Sequence, residues 1–259
     1  MTGGAGSRKS TGGSLTEDNA VPFRRFVTFV LFSLLGIAVF TALGIWQLER
    51  RVWKLDLIQR VEHRVHAPPV AAPGPAAWPS VNRADDEYRA VRVTGRFAND
   101  HETLVEATTE RGMGYWVMTP LKSREGFTVL INRGFVPSDR RNPATRAAGQ
   151  IAGETTVTGL IRMTEPKGTL LRSNDPAANR WYSRDVKAIA KARGLEAVAP
   201  YFIDADATSN PGGVPVGGLT VISFYNHHLI YAVTWFGLAL MLAAALFRFL
   251  REPLWGLKD

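Results

Sequence analysis

Two stretches of the chain contain no charged residue: Phe26–Leu48 (FVTFVLFSLLGIAVFTALGIWQL) and Leu229–Phe247 (LIYAVTWFGLALMLAAALF). At about 1.5 Å per residue, the first covers about 34 Å, enough for a bilayer hydrocarbon core of about 30 Å. It is too long for the apolar part of a signal peptide, and no small-x-small cleavage site ends it. It therefore predicts an uncleaved anchor that leaves the membrane at Trp46, Gln47 and Glu49-Arg50-Arg51. The second stretch has Tyr231 and Trp235 near its start and exits into Arg248 and Arg251, the aromatic and basic flanks of a membrane span.

Between the spans the periodicity changes. Trp53, Leu57, Val61 and Val65 recur every four residues, predicting that Glu49–Ala67 continues as a helix until Pro68-Pro69. Residues 67–81 hold five prolines and read as a stiff, extended linker. From there the period is two: Val91, Val93 and Phe97 alternate with Arg92, Thr94 and Arg96, a half-buried strand over Tyr88–Phe97. Further strands are expected at Thr103–Glu106, Tyr115–Leu121, Phe127–Val136, Thr155–Arg162, Tyr201–Asp204 and Leu219–Phe224. One helix is expected from Asp185 to Arg193, with Gly194 just past its end.

The pattern predicts a membrane protein in which two transmembrane α-helices, N- and C-terminal, flank a mainly antiparallel β (α+β) extracytoplasmic domain. Its segments are a cytoplasmic tail (1–25), a span (26–48), a juxtamembrane helix (49–67), the β-rich domain with its linker (68–225), a second span (226–247) and a cytoplasmic tail (248–259).

Charge refines this picture. The 259 residues carry a formal net charge of +8, but residues 49–226 hold 24 Lys/Arg mixed among 19 Asp/Glu. The remaining basic residues flank the apolar stretches, at Arg8, Lys9, Arg24, Arg25, Arg248, Arg251 and Lys258. That distribution orients a membrane protein and argues against nucleic acid as a partner. Three basic residues follow the second span and none lies between Gly194 and Leu229, so both tails are expected inside and the large loop outside. The compartment expected is a bacterial cytoplasmic (inner) membrane: Glu17, Asp18 and a Gly/Ser-rich start fit poorly with an acid-poor organelle transit peptide. With no cysteine, disulfides and thiolate metal sites are excluded.

Most catalytic signatures are missing, and no enzyme is expected. There is no phosphate-cradling glycine loop, no G-x-S-x-G and no H-E-x-x-H; His101-Glu102 lacks the second histidine. Asp85-Asp86-Glu87 reads as a solvated loop before a strand. His63 and His66 share a helix face and could ligate a metal, though a polar helix end is the simpler reading. The informative site is Asn226-His227-His228, at the outer mouth of the second span. If the helix continues, His228 shares a face with Tyr231, Ala232 and Trp235. A neutral imidazole, aromatic rings and a lipid-facing groove are what haem requires. Trp46 and Gln47 end the first span at the same face and offer the opposite wall. An ordinary interfacial cluster within an aromatic belt is the competing reading.

Six ordered segments carry a resemblance: LGIWQLERRVWK (Leu43–Lys54), GMGYWVMTPL (Gly112–Leu121), VLINRGFVP (Val129–Pro137), GLIRMTEP (Gly159–Pro166), SNDPAANRWYSRD (Ser173–Asp185) and NHHLIYAVTWFGLAL (Asn226–Leu240). In these the chain resembles the Surfeit-locus-one family of cytochrome c oxidase assembly proteins, over nearly all of its length from Leu43. The resemblance implies a haem a-binding chaperone that helps build the haem a and copper centre of oxidase subunit I. It implies subunit I and haem a synthase as partners, beside the lipid bilayer. It makes His228 the implied ligand of the haem iron. His227 occupies a variable position and leaves open which imidazole binds; Trp46, Gln47 and Arg50 are implied neighbours. The family's usual Trp in the NRG-x-VP segment stands here as Phe135. Gly134 is expected to be a turn glycine with positive φ, and Asn132-Arg133 to be structural hydrogen-bonders. A cofactor-free scaffold holding subunit I is the rival expectation.

Overall fold

The computed structural model describes residues 23–166, 168–169 and 171–251; the tail positions Arg8, Lys9 and Lys258 lie outside them. The chain forms two compact units. One comprises residues up to Leu55 together with those from Tyr225 onward; the other is Asp56–Phe224.

The first unit pairs two apolar helices. Helix α1 runs without a break from Phe23 to His66, joining the apolar run and the stripe that follows it into one element. Helix α4, His228–Arg251, is the C-terminal partner, numbered after two short helices of the β domain, α2 (Arg83–Asp86) and α3 (Val186–Ala192). Both are long and apolar enough to cross a membrane. Their outer apolar side chains face no protein: Phe32 is 70% exposed and Leu240 71%. In water such a surface would be untenable for a monomer; in lipid it is solvated.

Rising numbers on α1 meet falling numbers on α4, so the helices are antiparallel. Phe29 lies against Phe249 with ring centroids 4.7 Å apart, Phe40 stacks on Trp235 at 5.7 Å, and Gln47 meets His228. Buried residues of α4 fall at Ala232, Ala239 and Leu246, every seven positions. That is a coiled-coil spacing, with small residues admitting the opposite backbone. On α1 the same service comes from Gly36 and Gly44, where an added Cβ would stand 2.8 Å from Leu242 and 2.7 Å from the Phe236 ring.

The second unit is a β domain. Its strands are β1 (Val70–Ala71), β2 (Ala90–Phe97), β3 (Thr103–Thr109), β4 (Gly112–Ser123), β5 (Thr128–Pro137), β6 (Glu154–Met163) and β7 (Val198–Ala205). The sheet order is β1-β2-β6-β7-β5-β4-β3, and β2 also pairs with β4. That extra pairing closes β2, β6, β7, β5 and β4 into a five-stranded barrel. Closure occurs at Gly95–Phe97 against Leu121–Ser123, and at Gly95 a side chain would run into the Lys122 carbonyl. Five pairings are antiparallel; β1–β2 and β5–β7 are parallel.

Strand alternation sorts the apolar residues into two cores. Val91, Val93, Leu121, Val129, Ile131, Ile161, Tyr201 and Ile203 fill one. Leu130, Phe202 and Met118 point the other way and are covered by Trp181 and by Val186 and Ile189 of helix α3 (Val186–Ala192). The side chain of Asp185 caps α3 by accepting from Ala188 N–H at 3.1 Å, and Gly194, at φ +60°, follows its end.

Four expectations are corrected here. The stretch 67–81 is not an extended linker. Val70–Ala71 pairs with Val91–Arg92, Pro75–Ser80 forms a 3₁₀ helix, and Ala72 and Trp78 join the barrel core. Its prolines set short turns while its apolar side chains find a core within reach. Leu219–Phe224 is irregular, because its neighbourhood supplies side-chain rather than ladder bonds, Thr220 Oγ1 donating to Asp204. Of Asp85-Asp86-Glu87 only Asp85 is solvated: Asp86 ends the short helix α2 (Arg83–Asp86) and, with Glu87, is buried and paired to Arg89 and Arg83. Gly134 does have positive φ, +122°, but inside β5 rather than at a turn; a side chain there would collide with the Val216 carbonyl.

Candidate functional site

Helix α4 opens at His228, with the N–H of Tyr231 donating to the His227 carbonyl at 3.3 Å as the first helical bond. His228 is half-buried, and its Nδ1 lies 2.7 Å from Oε1 of Gln47 on α1. Gln47 sits one helical turn from the close approach at Gly44 and two turns from the Phe40–Trp235 stack. The hydrogen bond therefore closes the end of a packed helix pair.

The other expected residues distribute around this bond. Trp235 is half-buried in the stack with Phe40, an aromatic partner that its place deep in an apolar run concealed. Tyr231 and Trp46 are 56% and 51% exposed, presenting flat rings outward. The guanidinium of Arg50 lies 4.4 Å over the ring of Trp53, one turn further along α1. His227 is exposed, its ring 6.1 Å from that of Tyr225. The chain thus joins His228 to Gln47 directly, and leaves His227 and Arg50 engaged with other rings.

The chemistry of that donor set suits a porphyrin iron. An imidazole whose Nδ1 is held keeps Nε2 for a further bond, and Nε2 has no partner among the described residues. The surrounding rings and aliphatic side chains suit a flat apolar ring system. Elsewhere the metal reading loses support. His63 and His66 are exposed, with His66 Nδ1 bonded to the Glu62 carbonyl at 2.9 Å. Among the described residues no three His, Asp or Glu side chains cluster.

The β domain's polar interior is knitted into its own structure. Asp204, 4% exposed, accepts from Asn132 at 2.7 Å, Arg162 at 2.8 Å, Arg184 at 3.1 Å and Thr220 at 2.9 Å. Arg146 pairs with Glu102, both side chains almost fully buried. Buried Arg133 donates to the Gly149 carbonyl at 2.6 Å and to Asn210 Oδ1 at 2.8 Å. Burial pushes its pKa down to about 10; the Glu102 carboxylate opposes that shift and the Arg146 charge adds to it. Asn132 and Arg133 are structural, as expected. Asp204 lies at the end of an apolar strand pattern, where nothing in the sequence announces four donors.

The comparisons with known proteins cover the same ground. A model of the SURF1 family matches residues 34–240. The chain belongs to the SURF1 family. Surfeit locus protein 1 of Homo sapiens is 39% identical over 231 residues, 83% of this chain and 74% of the human protein. The Mus musculus protein is 39% identical over 223 residues, 80% of this chain and 71% of its own. A SURF1-like protein of Monosiga brevicollis is 37% identical over 235 residues, 85% and 87% respectively. SURF1 proteins are known as cytochrome oxidase assembly factors, a membrane-associated family not named for any enzymatic activity. The matched span begins within α1 and ends within α4. It therefore includes Gln47 and His228, and the fold class and family expected from the sequence are both found.

Proposed function

We propose that this chain binds haem a at the mouth of the α1/α4 pair and presents it to subunit I of the haem–copper oxidase during assembly. His228 supplies the iron bond through Nε2. Tyr231 and Trp46 offer aromatic surface, and Trp235, fixed by Phe40, braces the helix from within. When bound, the haem supplies the iron centre that accepts the imidazole; the chain only holds and orients it. Release to a client favours a site that is open on one side, and the exposure of Tyr231 and Trp46 supports that. Haem a synthase is the corresponding donor partner. The setting proposed is a bacterial cytoplasmic membrane, with both termini inside and the β domain outside.

The observation that carries this reading is a half-buried imidazole with an uncommitted nitrogen at the end of a lipid-facing helix pair. The test is the absorbance spectrum of the full chain purified in detergent from cells that make haem a. A haem a band is expected, lost in His228→Ala and retained in His227→Ala. A band that survives the double His227→Ala/His228→Ala variant overturns the ligand assignment. Colourless protein that still co-purifies with oxidase subunits supports the cofactor-free scaffold instead.

A further inference from the structure

The geometry points to Gln47 as a positioning residue that decides which nitrogen of His228 is available to a ligand. This rests on the haem-binding reading above, but concerns the protein before any ligand arrives.

A neutral imidazole has one N–H and one lone pair, and an amide oxygen can only accept. With Oε1 of Gln47 2.7 Å from Nδ1, a hydrogen on Nδ1 completes the bond, and the lone pair then falls on Nε2. An imidazole without a partner favours the opposite arrangement, with the hydrogen on Nε2. Gln47 therefore reverses the default and leaves the outer nitrogen ready to bind a metal. In metalloproteins the same task usually falls to a carboxylate or backbone carbonyl donated to by the far nitrogen. Here a neutral amide performs it, which suits a membrane interface because no charge has to be desolvated.

The bond is held in place by packing. Gly44 lets the Phe236 ring come within 2.7 Å of the position a Cβ would occupy, and Phe40 stacks on Trp235 just below. Two stiff helices clamped at those points fix the separation that Gln47 must span. His227, one residue earlier and exposed, has no such partner among the described residues and serves as an internal control.

The test uses the haem-free full chain in lipid nanodiscs with ¹⁵N-labelled histidine. Nitrogen shifts of His228 are expected to show the Nδ1–H form, and those of His227 the Nε2–H form. Gln47→Leu is expected to move His228 to the Nε2–H form. Gln47→Glu, whose carboxylate also accepts, is expected to restore Nδ1–H. In protein from haem a-producing cells, Gln47→Leu is expected to lower haem content at limiting haem by roughly tenfold, the low end of what loss of an orienting partner costs a metal site. An Nε2–H signal in the parent chain overturns the inference, as does a tautomer indifferent to Gln47→Leu or a haem content that Gln47→Leu leaves unchanged. If the parent chain binds no haem at all, it is the functional reading above that fails.

Discussion

Residues in this protein are buried in two chemically different ways, and each has its own vulnerability. In the β domain, charges are buried with partners. Arg146 and Glu102 have side chains 0% and 5% exposed, so each neutralises the other where water cannot. Substituting one leaves a bare charge in a low-dielectric interior, which costs about 3–5 kcal/mol, whereas replacing both with apolar residues of similar volume is often close to neutral. Arg146→Met is therefore expected to destabilise the domain by that amount. Arg146→Met with Glu102→Leu is expected to recover most of the loss. Denaturant unfolding of the full chain, followed by tryptophan fluorescence, measures both. In the helix pair, by contrast, the polar contact of His228 is with Gln47, an uncharged amide.

At the scale of elements, two devices recur. The helices approach through small residues set among aromatic contacts, and the barrel closes where Gly95 removes a side chain from the path of a carbonyl. The antiparallel register of α1 and α4 is directly testable because the chain has no cysteine of its own. Phe29→Cys with Phe249→Cys, whose parent rings lie 4.7 Å apart, is expected to form an intramolecular cross-link with a short, reducible bismaleimide. Phe29→Cys with Trp235→Cys is expected not to, since Trp235 meets Phe40, eleven residues or about 16 Å further along α1. Gel mobility with and without reductant separates the two outcomes, and equal cross-linking in both pairs would contradict the register.

For the whole molecule, the proposed sidedness follows from Arg248 and Arg251 at the end of α4, against a segment without basic residues before it. In bacterial cells with a permeabilised outer membrane, an impermeant thiol reagent is expected to label Ser138→Cys, an exposed position of the β domain. Cysteines placed at Ser14 and at Asp259 are expected to react only after the inner membrane is opened. Labelling of all three in intact spheroplasts would refute two spans with a common inner side.

How much of this was legible beforehand follows the range of the forces involved. Two charge-free runs, a four-residue stripe and a two-residue alternation are local patterns. A helix and a sheet each impose one period on the chain, and lipid a long uncharged run, so the spans, six of the seven strands and the capped helix at 186–192 could be read directly, whereas Leu219–Phe224 reads as a strand without joining the sheet. His228 and Gln47 were legible as candidates because both lie where an apolar run ends. Their bond was not, since 181 residues separate them and only the packing of α1 on α4 sets the distance. The same holds for the barrel closure at Gly95, the four donors on Asp204 and the place of Trp78 in the core. The prolines around Trp78 speak of a linker, yet the burial of an indole outweighs them. Period and composition decided which elements this chain forms; long-range packing alone decided which side chains meet, because a contact between distant residues leaves no trace in the spacing of either.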